Sequence, residues 1–191
     1  MRLILILLLV AGSKAMSMEK YVLQCRNDIL ELSEKYAISQ IGTLEKSNRN
    51  DGNVLKYQIG LELDKGAPYC AAGVYWCFLQ ASIDLGLAEN EIPIIKSAVA
   101  NELFNDASRR GIRSKYIPGR HCLIVWRKKN NWSGHIERII DVKKAGWVST
   151  VGFNVTNIYG QHGVFRKKRN IFHPLGRLAV RGLIGFKERI N

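Results

Sequence analysis

Apolar side chains recur along this chain with two different periods, and the change falls near Pro118. Between Met18 and Ile38, Val22, Cys25, Ile29, Leu32 and Tyr36 fall every three or four positions, which predicts one amphipathic helix packed on the main body. Gly42 to Asn53 is polar and rich in Asn, Asp and Gly, the composition of a loop. Val54 to Leu63 reads as a short helix before the turn Gly66-Ala67-Pro68. Pro68 disfavours helix for the residue before it, so the next helix starts at Tyr69 or Cys70 and runs to Leu85. Val74, Cys77, Phe78 and Ala81 trace its buried side, and Gly86 ends it. A further helix is predicted from Ile94 to Arg110, closed by Gly111. Past the Pro118-Gly119 turn the pattern becomes β-rich, with strands predicted over His121 to Arg127, Ile136 to Val142, Trp147 to Val155, Gly163 to Lys168 and Leu178 to Phe186. Helices first and strands afterwards indicate an α+β protein, N-terminal helices packed on a C-terminal antiparallel β-sheet.

The first fifteen residues stand apart. Arg2 precedes an uncharged apolar run, Leu3 to Val10, and Ser13-Lys14-Ala15 has the small-x-small form of an export cleavage site. The run is too short to span a bilayer, which takes about 20 apolar residues, so no stable membrane span is expected. Residues 1–15 are therefore read as a signal peptide, 16–41 as an N-terminal helix and 42–191 as one catalytic-sized domain. A secreted or periplasmic protein follows, or a cytoplasmic one if Met16 or Met18 is the true start.

Charge narrows the partners. The 191 residues carry 29 Lys and Arg against 16 Asp and Glu, a net charge of +13, which favours a polyanion: nucleic acid, anionic lipid or a bacterial wall polymer. Zinc-finger spacing, a Gly-rich phosphate loop and the aromatic-basic pattern of RNA-binding sheets are all missing, so nucleic acid is set aside. None of the four cysteines (Cys25, Cys70, Cys77, Cys122) forms a C-x-x-C pair, and no metal is expected. Cys70 and Cys77 lie two helical turns apart, roughly 10 Å, too far for a disulfide. Cys77 and Cys122 read as small buried apolar residues, with a Cys25 disulfide left open.

Cys70 differs from the others because it opens a helix. A thiol there feels the positive end of the helix dipole, which favours thiolate. Of the four histidines, His135 follows Gly134 and opens a strand, whereas His121 begins the preceding strand and His162 and His173 fall in turns. A cysteine at a helix start and a histidine at a strand start, in that chain order, is the papain-like arrangement of nucleophile and base.

The segments around these two residues extend the likeness. Pro68-Tyr69-Cys70-Ala71-Ala72-Gly73-Val74-Tyr75-Trp76-Cys77 resembles the nucleophile helix of the CHAP family, the cysteine, histidine-dependent amidohydrolases/peptidases. Pro118-Gly119-Arg120 resembles that family's Pro-Gly-Asp strand, with Arg120 where Asp is usual, and Gly134-His135-Ile136 resembles its Gly-His-Val motif. Thr150 to Asn157 and Gly163 to Arg169 resemble the two strands that follow, so the likeness covers about Gly42 to Ile171. It implies a papain-like fold and a peptidoglycan hydrolase, either an N-acetylmuramoyl-L-alanine amidase or a peptide endopeptidase. Cys70 would be the nucleophile, His135 the general base and Asn154 the group that orients the imidazole. The resemblance implies no cofactor, and a monomer bound to peptidoglycan or another anionic wall polymer is expected. Gly152 stands where the family often has Glu. Glu137, two residues beyond His135 on the same strand face, is either an ordinary surface charge, the commoner case, or a substitute carboxylate. Action on a non-wall amide, and an inactive wall-binding module, remain the alternatives.

Overall fold

Six successive residues of the central helix, Cys70 to Tyr75, are buried, so this helix must sit inside the molecule with protein on every side of its first turns. The computed structural model describes residues 18–129 and 131–189. The signal peptide expected over residues 1–15 lies outside them. In chain order the elements are β1 (Glu19–Cys25), α1 (Asn27–Ser39), α2 (Leu55–Ile59), α3 (Cys70–Asp84), α4 (Ala100–Arg110), β2 (Ile112–Ser114), β3 (Leu123–Arg127), β4 (Gly134–Val142), β5 (Trp147–Thr156), β6 (His162–Asn170) and β7 (Ala179–Glu188). Among the described residues, four α-helices and a seven-stranded sheet make the protein α+β. The strand order is β2-β1-β7-β3-β4-β5-β6.

The sheet departs from expectation at one edge. β1 pairs in parallel with β7, from Glu19 opposite Gly182 to Cys25 opposite Glu188, so the sheet is mixed rather than antiparallel. The residues responsible, Glu19–Cys25, belong to the stretch predicted as the first half of an N-terminal helix. Val22, Cys25 and Ile29 satisfy a helical period by coincidence. The helix begins only at Asn27, where the Asp28 carboxylate accepts the Ile29 N–H at 2.8 Å. Asp28 is thus the start signal, and Tyr21-Val22-Leu23 ahead of it is the β-prone run. α4 also starts later than predicted. Ser97 Oγ accepts the Val99 N–H at 3.0 Å and donates to Glu102 at 2.6 Å, which holds the chain extended until Ala100.

Both faces of the sheet are covered. Along β3, Leu123 and Val125 join the large core shared with α1, α3 and α4. Their neighbours Ile124 and Trp126 join a smaller core with Cys122, Ile139, Val148 and Leu183. All four cysteines are free and buried, including Cys25.

α3 lies against β4 and β5 because one residue lacks a side chain. A Cβ on Gly73 would stand 2.2 Å from Phe153 Cδ1, well inside van der Waals contact with a ring that is itself fully buried. Gly73→Ala is therefore expected to destabilise the protein by about 3 kcal/mol or more, at the upper end of overpacking costs. Thermal melting of the variant checks this, and an unchanged midpoint would contradict the contact.

Candidate active site

The residues before α3 build a tight, cross-braced turn that fixes where the helix starts. Gly66 takes a left-handed backbone (φ 91°), which an L side chain resists. Asn50 donates to the Gly66 carbonyl at 2.8 Å, and Gln58 donates to the carbonyls of Ala67 (2.7 Å) and Asn50 (2.9 Å). Glu45 accepts from Tyr69 Oη at 2.9 Å and from the Asn50 N–H at 2.7 Å. The loop over residues 43–53 and α2 thus act as the bracket for Cys70, the first residue of α3.

His135 is the second residue of β4, and its ring centroid lies 5.9 Å from that of Trp126, its cross-strand neighbour on β3. Its Nε2–H donates to Glu137 Oε1 at 3.0 Å, which turns Nδ1 toward the sulfur of Cys70. Cys70 and His135 interact directly, and the backbone N–H groups of Ala71 and Ile136 also serve the sulfur. The site brings together Cys70 and His135, which are 65 residues apart in sequence.

Glu137 is no surface charge. It is fully buried, two residues along β4 from His135. Arg169 Nε lies 3.1 and 3.0 Å from its two oxygens, Arg169 Nη2 lies 2.6 Å from Oε1, and Thr150 Oγ1 donates to Oε2 at 2.5 Å. Every strong acceptor direction of the carboxylate is filled, which is the condition for keeping a buried charge. The imidazole therefore takes its orientation from Glu137, and the role expected of Asn154 is corrected. Asn154 sits at the β5 bulge with a left-handed backbone (φ 55°) and lines the cleft beside His135. The reason is the bulge itself: the register between β5 and β6 shifts between Gly152 and Val155.

The lack of a side chain at Gly152 has a physical explanation in the same place. Gly152 is the cross-strand partner of Glu137, and a Cβ there would stand 2.9 Å from Glu137 Oε1. The carboxylate of residue 137 occupies the space a side chain at 152 would enter. Arg169 and Thr150 were not singled out from sequence. They are legible only once strand register is known, because they lie on β6 and β5.

The remaining histidines serve elsewhere. His121 bonds Glu31 Oε1 through Nε2 at 3.1 Å and meets Arg138 at Nδ1, tying α1 to β4. Arg120 is bound to Glu34 on α1. The His173 carbonyl accepts from Trp126 Nε1 at 3.2 Å, and the backbone N–H of His162 donates to Asn48.

Charges in the site set its protonation. Burial alone would raise the Cys70 thiol, but the His135 imidazolium and the Ala71 N–H outweigh it, and the net shift is downward. Burial would lower His135, yet Cys70 and Glu137 hold it up to about 9. Burial would raise Glu137, and His135 and Arg169 instead hold it down to about 2. Cys25 and Cys77 have no such partner, and burial pushes both up to about 12. Two consequences follow for stability. Glu137 titrates below its ordinary value of 4.5, so its contribution is complete above that pH and is lost as pH falls toward 2. His135 titrates above its ordinary 6.5, so its contribution is complete below that pH and is lost as pH rises through about 9.

Iodoacetamide is therefore expected to alkylate Cys70 in the native protein at a rate that levels off below pH 9.0, the ordinary thiol value, with Cys25 and Cys77 silent. Mass spectrometry of the labelled peptides checks this. A rate that keeps climbing tenfold per pH unit up to 9.0, the ordinary thiol value, would count against the ion pair.

Among the described residues no group of three or more His, Cys, Asp or Glu could hold a metal ion, and no helix is long and apolar enough to cross a membrane. Comparisons with protein-family models, with curated proteins and with solved structures return no match for this chain.

Proposed function

We propose that this chain is a papain-like cysteine amidohydrolase of the CHAP type that cuts an amide bond in bacterial peptidoglycan. One observation carries the reading: a thiol at a helix start, paired with an imidazole that is in turn held by a buried, fully bonded carboxylate. In this scheme the Cys70 thiolate attacks the amide carbonyl carbon. The oxyanion meets the backbone N–H of Cys70, one of the outward-pointing donors of the first helical turn. The C–N bond breaks as His135 gives its Nδ1 proton to the leaving amine, and an S-acyl thioester remains. Water then attacks the thioester, His135 takes a proton from it, and the acid leaves with the thiolate restored. Turnover is expected to fall above pH about 9, where His135 no longer holds the proton that the leaving group needs. Export by the amino-terminal apolar segment would place the protein at its substrate, and a net charge of +13 suits a wall bearing anionic polymers.

Incubation of the protein with purified bacterial walls tests the reading. Turbidity should fall, and mass spectrometry of the soluble products should show new amino termini. A terminus on the alanine next to muramic acid identifies an amidase, and one within the stem or bridge peptide an endopeptidase. Intact walls and no released peptide would overturn it.

A further inference from the structure

The cleft beside His135 has an opening of about 390 Å³, within the range of small-ligand sites. Of the two cations that line it, Arg169 is committed to Glu137. Lys167 stands differently. It lies on the same face of β6, its ammonium donates one hydrogen bond to the Thr156 carbonyl, and no carboxylate pairs with it among the described residues. The ammonium also lies 5.7 Å from the centroid of the Phe165 ring, and two of its N–H bonds have no hydrogen-bond acceptor among the described residues. The Asn154 carboxamide lines the same cleft, and among the described residues it makes no side-chain hydrogen bond. Asn154 also holds a left-handed backbone there, a strain that tends to collect at working sites. The far wall is apolar. Leu175 and Leu178 face each other across a two-residue turn closed by hydrogen bonds of 2.9 and 3.0 Å between their backbones.

We propose that Lys167 and Asn154 form a subsite for a carboxylate on an aliphatic stem, so that the substrate carries an acidic side chain next to the bond that is cut. The proposal rests on Cys70 being the reactive group of this cleft. An unpaired, partly desolvated ammonium favours an anion more than it would in water, because the field of a fixed charge is less screened there. Burial and the nearby Arg169 already hold the Lys167 ammonium below its ordinary range, and a bound carboxylate would offset them with its opposite charge. The two leucines match the methylene stem of a glutamate-like side chain, and Asn154 supplies an N–H donor that a carboxylate can accept.

Two measurements test this, and only one needs a reactive thiol. The first is the rate of Cys70 alkylation by iodoacetate relative to iodoacetamide at neutral pH. Lys167→Met is expected to lower that ratio by about tenfold, the effect of removing one cation from the cleft that His135 borders. Lys35→Met, which removes the same charge from the exposed face of α1, should leave the ratio unchanged. An equal ratio in wild type and Lys167→Met overturns the subsite. The second uses Cys70→Ala protein and backbone amide resonances of residues 154–156. N-acetylglutamate should shift them, N-acetylglutamine at the same concentration should not, and Lys167→Met should remove the response while Lys167→Arg retains it. A response to glycerol 3-phosphate with none to N-acetylglutamate would replace the carboxylate by a phosphate and overturn the proposal. If the resonances respond as expected but Cys70 resists alkylation, the hydrolase reading fails and the subsite stands. If Cys70 reacts and digests walls but neither measurement depends on Lys167, the subsite fails alone.

Discussion

Cys70→Ala is expected to fold, to melt within a few degrees of wild type and to release no wall peptide, because it deletes the attacking atom and little else. The sulfur is buried but small, and alanine leaves the first turn of α3 unchanged. His135→Ala should abolish turnover as completely, by removing both the counter-ion of the thiolate and the acid for the leaving amine. Loss of one member of a unit that acts together costs about 10⁴-fold or more, and losing the second adds little. The double variant should therefore be no slower than either single one. His162→Ala is the matched control, since His162 bonds through its backbone, its N–H to Asn48 and its carbonyl to the Glu45 N–H, and it should stay near wild type. Fragment release by each variant is the measurement. Persistent release by Cys70→Ala would remove the nucleophile, and a silent His162→Ala beside an active His135→Ala would move the base.

Glu137 carries the next largest effect, and it should appear in two readouts. Glu137→Gln keeps the shape and loses the charge, so the His135 imidazolium and Arg169 both lose their counter-ion in a buried place. Breaking such a pair costs about 3–5 kcal/mol. Turnover should fall by about 10²- to 10⁴-fold, as it does when the orienting acid of a triad is neutralised. A merely structural residue would lower the melting point without changing the pH dependence of Cys70 alkylation. Glu137→Gln should change it, because the imidazolium is no longer held up. The cross-strand register supplies a sharper test. Glu137→Ala combined with Gly152→Glu moves the carboxylate from β4 to β5 into the space just vacated. The pair should recover at least part of what Glu137→Ala loses, whereas Gly152→Glu alone should destabilise, since two carboxylates would share one cavity. Full turnover by Glu137→Ala would show that the carboxylate does not orient the base.

How much of this could be read from the chain depends on how local each feature is. The start of α3 was legible because Gly66-Ala67-Pro68 and the apolar run after it are contiguous. The pairing of Cys70 with His135 was legible as an order of motifs rather than as a geometry. The orienting group was assigned to the wrong residue for a long-range reason. A charge two residues along a strand looks like surface until its partners are known, and Arg169 and Thr150 sit on different strands from Glu137. β1 was lost to a coincidence of periods, in which Val22, Cys25 and Ile29 fit a helix although the first two belong to a strand. β2, three exposed residues long, offers no pattern to detect.

The parallel seam between β1 and β7 constrains the order in which the molecule can come into being. β7 lies between β1 and β3, so among the described strands the last in the chain is the one that joins the first to the remainder. A nascent chain that has not yet released residues 179–188 holds two separate pieces of sheet, one of β1 and β2 and one of β3 to β6. Contacts spanning nearly the whole sequence are slow to close. The sheet should thus stay in two pieces until β7 is available to join them. Removing the final ten-residue strand should forfeit cooperative assembly, not merely trim an end.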